Sequence, residues 1–394
     1  MTKLIPTTFY ILLISISTTV ELFAIDQSCP DIVDYIDKTY GAGIRQINNP
    51  NGHEHNIYYH RNPWNADNTY LIGIKSDINQ KNWKVVLYNG KGCFIKELFS
   101  IENYDWRLVW DRNDPKIFYT WKGSNLYRYN VDTDKADLLK SFAPLGLKVC
   151  GPSLNQTGDR ILVITSDEIF HSYHIPDMQD ERTFAVGFQS GCFTDWEDER
   201  YIGYGNYIVT GCNSKDWTTE ITYIYDDTGK LYHKFDGISF PHKDFSPDGK
   251  WAYFKMPTYA RRGGNVTSLE IHLVNIDGTD DKIVYTVSQL QAGYIRNLHL
   301  SWPDKVNNWF IASFFPSAEY LPKTYTPPLD EILLINIDGT YKYLCRTETT
   351  VSRGFSMFWA EPLASSSSDG TRINFNSNRS GTIDQYILFM EKDK

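Results

Sequence analysis

The sequence predicts an all-β chain, a seven-bladed β-propeller of four-stranded antiparallel blades closed by an N-terminal strand that completes the last blade. Three observations predict it. A hairpin-forming unit recurs along the chain, aromatic residues are abundant at 15%, and the final copy of the unit lacks its last strand. Rings and β-branched side chains suit pleated, half-buried surfaces.

Each copy of the unit has a small or polar residue, a turn of Asp, Asn or Gly, and then a short apolar run. The clearest copies are Ser246-Pro-Asp-Gly-Lys-Trp-Ala-Tyr-Phe and Ser367-Ser-Asp-Gly-Thr-Arg-Ile-Asn-Phe. Weaker copies start at Asn65, Arg112 and Asn155, and degenerate ones at Trp196 and Pro303. The turn residues fall at 68, 115, 158, 199, 249, 307 and 370, so successive copies stand 47, 43, 41, 50, 58 and 63 residues apart. A four-stranded propeller blade has a period of about 40–50 residues. Asp-Gly between apolar runs is a strong signal for a two-residue hairpin, in which both turn residues take positive φ. A second turn follows inside most copies, as at Asn89-Gly90, Asp277-Gly278 and Asp338-Gly339. Each copy therefore supplies strand, turn, strand, strand, turn, strand. After Gln385-Tyr-Ile-Leu-Phe-Met no fourth strand follows, while Gly43-Ile-Arg-Gln-Ile-Asn offers an orphan strand near the other end. Pairing the two closes the ring and leaves only short edges. The propeller domain is expected over 43–394, preceded by a lead segment, 25–42, in which Pro30-Asp-Ile-Val-Asp-Tyr-Ile-Asp is expected to form a short capping helix.

Residues 1–24 have the tripartite form of a signal peptide: Lys3, an apolar run from Phe9 to Ile16, and a small-residue region ending at Ala24. That run is shorter than the roughly 20 residues a membrane span needs. A secreted or periplasmic location without a stable membrane anchor is the expectation. The cysteines are Cys29, Cys93, Cys150, Cys192, Cys212 and Cys345, an even number that permits three disulfides. Cys192 and Cys212 are the pair that one hairpin would bring together. The net charge of −9 argues against a nucleic-acid partner, which needs a basic face.

The Ser246–Lys250 turn and its relatives resemble the TolB-type, WD-like propeller repeat over nearly the whole chain after the leader. The same repeat occurs in scaffolding proteins, in the propellers of prolyl-oligopeptidase-like enzymes and in oligogalacturonate-lyase-like propellers. No Gly-x-Ser-x-Gly elbow is present, which sets the peptidase reading aside. The lyase resemblance implies a divalent metal held by histidines around the channel, and a basic residue that takes the proton next to a uronate carboxylate. His242 and His299 stand in matching places ahead of their turns. In the last blade the family shows a His-Pro-His run. This chain has Trp359-Ala-Glu-Pro-Leu-Ala, with Glu361 and Leu363 at those positions.

The inner strand of each blade begins just before the first turn, so its leading residues converge on one mouth of the channel. They include Arg61, Arg107, Cys150, His242, Asp244, Arg296, His299 and Glu361. The arginines suit bidentate binding of a carboxylate or sulfate. His242 and His299 suit metal ligation or proton exchange, with Glu361 or Asp244 as a third ligand. Each also has a structural reading, because propeller channels are polar for solvation. His53, Glu54, His55 and His60 resemble a metal cluster, but their Gly/Asn-rich setting reads as a solvated loop. The insertions Met256–Val266, with Tyr259 and Arg261, and Phe315–Pro328 fit loops that clamp a ligand.

Two functions remain open. One is binding of an extracellular glycan, an anionic saccharide above all, or of a protein ligand, at the mouth between blades five, six, seven and one. The other is β-elimination on uronic-acid glycans. His242 or His299 would act as base, Arg296 would neutralise the carboxylate, and Arg61, Arg107, Asp244, Glu361, Tyr259 and Arg261 would line the site.

Overall fold

The computed structural model describes residues 29–102, 108–185, 193–194, 199–213, 220–238, 242–255, 269–292, 294–316, 326–350 and 356–390. The expected signal peptide at 1–24 lies outside them. Within them no helix is long and apolar enough to cross a membrane.

The described residues form seven antiparallel sheets, one per blade. Blade 1 contains Gly52–His55, Tyr70–Asp77, Lys84–Asn89 and Phe94–Ser100, from the channel outward. Blades 2 and 3 begin at Leu108–Trp110 and Val149–Leu154. In blade 4 the inner position is shared by two short strands, Phe193–Thr194 and Arg200–Tyr201. The inner strands of blades 5, 6 and 7 are Asp244–Phe245, Ile295–Ser301 and Ser365–Ser366. Second strands lie between two neighbouring blades, so they are apolar on both faces. All of Arg160–Thr165 is buried, whereas the outer strand Gln179–Ala185 is largely exposed and polar.

Buried apolar clusters glue each blade to the next. Seven of them span the pairs 1–2, 2–3, 3–4, 4–5, 5–6, 6–7 and 7–1. The last, where Ile47 and Ile387 meet Leu71, Val86 and Tyr88, makes the arc a ring. Closure comes from Gly43–Ile47, which pairs with Asp384–Phe389 as the fourth strand of blade 7.

The first turn uses one recurring bond. The Ser246 hydroxyl accepts from the Lys250 N–H at 2.8 Å, and the Ser367 hydroxyl from the Arg372 N–H at 3.1 Å. The Asn65 and Asn155 side-chain carbonyls do the same for Tyr70 and Arg160, both at 3.0 Å. This is why four of the seven copies open on Ser or Asn. Only the glycine of Asp-Gly takes positive φ, as at Gly249 (82°) and Gly370 (71°). The expected two-residue hairpin is therefore corrected to a longer turn that ends in a glycine bulge.

Three other expectations are corrected. Ile32–Ile36 is a strand, not a helix. It pairs with Gly43–Ile47 and gives blade 7 a fifth strand, because the exposed edge of the closing strand satisfies its backbone groups better than a helix would. In blade 4, Arg200–Tyr201 belongs to the inner strand, and the turn carries positive φ at Gly205 instead of lying at 199. Among the cysteines, Cys29 bonds to Cys93 and ties the lead segment to blade 1, while Cys345 is a buried free thiol. A three-bridge framework is thus not formed. Cys192 lies outside the described residues.

Polar contacts reinforce the seam between blades 7 and 1. The Glu54 N–H donates to the Ile383 carbonyl at 2.7 Å, and Gln385 Nε2 donates to Glu54 Oε1 at 2.9 Å. Burial pushes the Glu54 carboxyl up to about 8. The folded state then holds this proton while the unfolded chain releases it, so stability falls as pH rises from about 4.5 toward 8. Glu54→Gln, uncharged at every pH, is expected to flatten that decline. Urea unfolding at pH 5, 7 and 8.5 checks it, and parallel profiles for wild type and variant would refute it.

Candidate functional site

Residues 55 to 64 leave the inner strand of blade 1 and enter the channel. His55 pairs with Ile74 and Trp64 bridges Leu71, so eight residues stand opposite two. The excursion plugs the channel. Tyr59 is fully buried against Trp359, Ala360, Leu363 and Ile383. Tyr58 has φ 96°, an outlier for an aromatic residue of the kind that collects at functional sites. The expectation of a solvated loop at His53–His60 is corrected, since Gly52–His55 is a strand with Glu54 and His55 buried. His55 stacks on Trp359 with ring centroids 3.7 Å apart, and its Nδ1 meets the Asn56 carbonyl at 2.7 Å. Burial lowers its pKa to about 3, so the ring is neutral.

Above this plug, on the side where the inner strands begin, the structure brings together His242, His299 and Glu361. The two imidazoles stack with centroids 4.1 Å apart at 29°. His242 Nδ1 is 2.9 Å from Asn297 Oδ1, and Asn297 Nδ2 donates to Glu361 Oε2 at 2.8 Å. His299 Nε2 lies 3.7 Å from the same carboxylate oxygen. A carboxylate accepts only, so it orients the Asn297 amide with the nitrogen toward Glu361 and the oxygen toward His242. His242 then donates from Nδ1. His299 is fully buried, and neither ring nitrogen has a hydrogen-bond partner. Burial, and secondarily the neighbouring His242, push its pKa well below the usual histidine value.

Asn297 was missed by sequence reasoning. Its strand carries a bulge between Ile295 and Asn297, which leaves Arg296 exposed and turns Asn297 inward. An inserted residue of this kind leaves no mark in a repeat pattern.

The other candidates lie elsewhere. Arg61 is buried toward the hairpin-turn side, where Nη1 donates to the Pro152 carbonyl at 2.5 Å. Asp244 also lies on that side. It pairs with Arg200 at 3.3 Å and accepts from the Trp302 N–H at 2.5 Å. Burial raises its pKa to about 6 despite Arg200. Arg107, Tyr259 and Arg261 fall outside the described residues.

No protein-family model matches the chain, and no curated protein matches it. Solved structures do resemble it. An oligogalacturonate lyase in complex with manganese aligns with TM-score 0.68 at 12% identity, over 92% of this chain and 96% of that one. An oligogalacturonate lyase from Vibrio parahaemolyticus aligns with TM-score 0.66 at 11% identity, over 92% and 97%. The β-propeller domain of Cps50 (Swd1) from Myceliophteria thermophila aligns with TM-score 0.50 at 10% identity, over 85% and 97%. The chain is thus a β-propeller with the same fold as these oligogalacturonate lyases. At these identities the likeness concerns fold alone.

A divalent metal of the kind seen in the first of these proteins can be weighed against the residues present. The unsatisfied nitrogens of His299 suit a metal. The nearest carboxylate oxygen, Glu361 Oε2, is already engaged by Asn297. Leu363, at the position of a family histidine, is packed in the apolar cluster around Tyr59. Among the described residues no group of three or more His, Cys, Asp or Glu side chains is arranged to hold a metal ion. The residues present do not make that ligand set.

A buried imidazole without hydrogen bonds is costly. Losing polar desolvation of this kind is worth about 1–3 kcal/mol. His299→Leu is therefore expected to raise stability at pH 7 while removing the polar centre of the site. The neutral folded ring also makes stability fall as pH drops below about 6.5, where the unfolded histidine takes up a proton. The variant should lose less stability than wild type between pH 6.5 and 4.5. Thermal unfolding of both proteins at these pH values measures it, and a variant less stable at every pH would contradict it.

Proposed function

We propose that this chain is a secreted propeller that binds an anionic saccharide at the strand-start mouth of its channel. The supporting observation is the buried polar centre at that mouth. His299 sits there with two unsatisfied ring nitrogens, beside His242, Asn297 and Glu361. A molecule optimised for stability alone would fill this position with an apolar side chain, and unsatisfied buried groups in native proteins mark function. Arg296, exposed at the bulge on the same strand, supplies a cation for a carboxylate. The leader at 1–24 supports secretion.

A second reading, β-elimination on uronic-acid glycans, is favoured by one observation. The hydrogen bond from His242 Nδ1 to Asn297 fixes the orientation of the imidazole at the mouth. In such a reaction the His242 ring takes the proton next to the uronate carboxylate. The electrons of that C–H bond form the new double bond, and the glycosidic oxygen leaves with its electron pair. Arg296 would offset the carboxylate charge, which acidifies the adjacent C–H. The structural likeness to two oligogalacturonate lyases is compatible with this chemistry.

One experiment serves both readings. The protein is titrated with pectic and other uronic polysaccharides while absorbance from an unsaturated product is followed. The binding reading expects affinity for at least one acidic glycan, no product, and at least about tenfold weaker binding in His299→Leu, the size of a lost buried polar contact. Product formation that His242→Ala abolishes would establish the lyase reading instead. No affinity across the panel would overturn both.

A further inference from the structure

We infer that the turn-side mouth of the channel is a second ligand site, built for a small hydroxylated carboxylate. A cavity of about 270 Å³ opens there, lined by residues from all seven blades. At about 30 Å³ per water it has room for roughly nine waters, or one solute the size of a monosaccharide acid. The plug separates it from the histidine pair: His60 lines the cavity, while the ring of the adjacent Tyr59 lies 4.9 Å from that of His299.

The charge of this wall differs from that of the whole molecule. Among the described lining residues, Arg61, Arg112, Arg200 and Lys305 face three carboxylates, Asp111, Asp244 and Asp304, so cations outnumber anions by one there although the chain's net charge is −9. The carboxylates are engaged within the wall. Asp304 takes Arg112 at 3.2 Å, Asn62 at 3.2 Å and Ser368 at 3.0 Å. Asp244 takes Arg200 and the Trp302 N–H. Asp111 accepts from the Tyr119 hydroxyl at 2.7 Å and from the Asn113 N–H at 2.8 Å. The Lys305 ammonium, by contrast, meets among the described residues only the Ala66 carbonyl, at 3.4 Å. An added anion is the partner that such a wall lacks.

A second observation points to the same ligand. The Ser366 hydroxyl lines the cavity, is 3% exposed and has no hydrogen-bond partner. Arg112 Nε is likewise buried and unpartnered. A hydroxyl on the ligand satisfies the first and a carboxylate the second. The Arg112–Asp304 pair joins blade 2 to blade 6 across the mouth, so it latches the cavity on its outer side.

The test titrates glucuronate, and glucose as its neutral counterpart, into the intact protein at low salt, read by calorimetry. Glucuronate is expected to bind at least about tenfold more tightly than glucose, the size of a charged hydrogen bond. Lys305→Gln, an exposed position that leaves the fold alone, should weaken glucuronate about threefold. Ser366→Ala should weaken it about fivefold. The binding that Lys305→Gln weakens should persist in His299→Leu, which separates this site from the histidine pair. Equal affinity for the two sugars, no binding, or a glucuronate site lost in His299→Leu but untouched by Lys305→Gln would each overturn the inference.

Discussion

Everything in this molecule depends on one pairing, that of Gly43–Ile47 with Asp384–Phe389. Each blade has two apolar faces and can bury them only against neighbours. Six interfaces between consecutive blades form along the chain, but the seventh needs its ends to meet. Without it, two sheet faces and a row of unpaired backbone groups would face water. The disulfide from Cys29 to Cys93 and the Glu54–Gln385 hydrogen bond act on the same seam. Closure also fixes the circumference of the channel, and so the distance at which side chains from different blades meet. His242 of blade 5, His299 of blade 6 and Glu361 ahead of blade 7 meet across the consecutive interfaces 5–6 and 6–7.

The sequence carried the architecture because hairpin chemistry is local. Ser or Asn at the head of a turn accepts a backbone N–H four or five residues later, and glycine at the end takes the positive φ that other residues resist. Such signals recur in four of the seven blades and survive drift in the strands between them. The degenerate fourth copy was misplaced because Arg200–Tyr201 looks like the run after a turn although it belongs to the strand before one. The lead segment was misread for a related reason. Residues 31–36 lack a strict period, and their strand forms because an edge is waiting for them.

The site was legible only in part. His242, His299 and Glu361 were found from their distance to the turns. Asn297, which joins them, was hidden by a one-residue bulge. The plug at residues 56–63 was hidden because polar and aromatic residues near Gly52 look like an exposed loop until the channel around them is known. The histidine pair and the turn-side cavity share a physical signature. Both hold buried polar groups without a hydrogen-bond partner, at His299 and at Ser366. Stability is given up at the channel axis and recovered between the blades.

Native-state hydrogen exchange tests the closing pairing most directly. If the N-terminal strand seals the ring, the amides of residues 44–47 and 385–388 exchange as slowly as those of 161–164 in the middle of blade 3, and all open together on global unfolding. Rapid exchange at 44–47 and 385–388, with blade 3 still protected, would show an open ring and contradict the account.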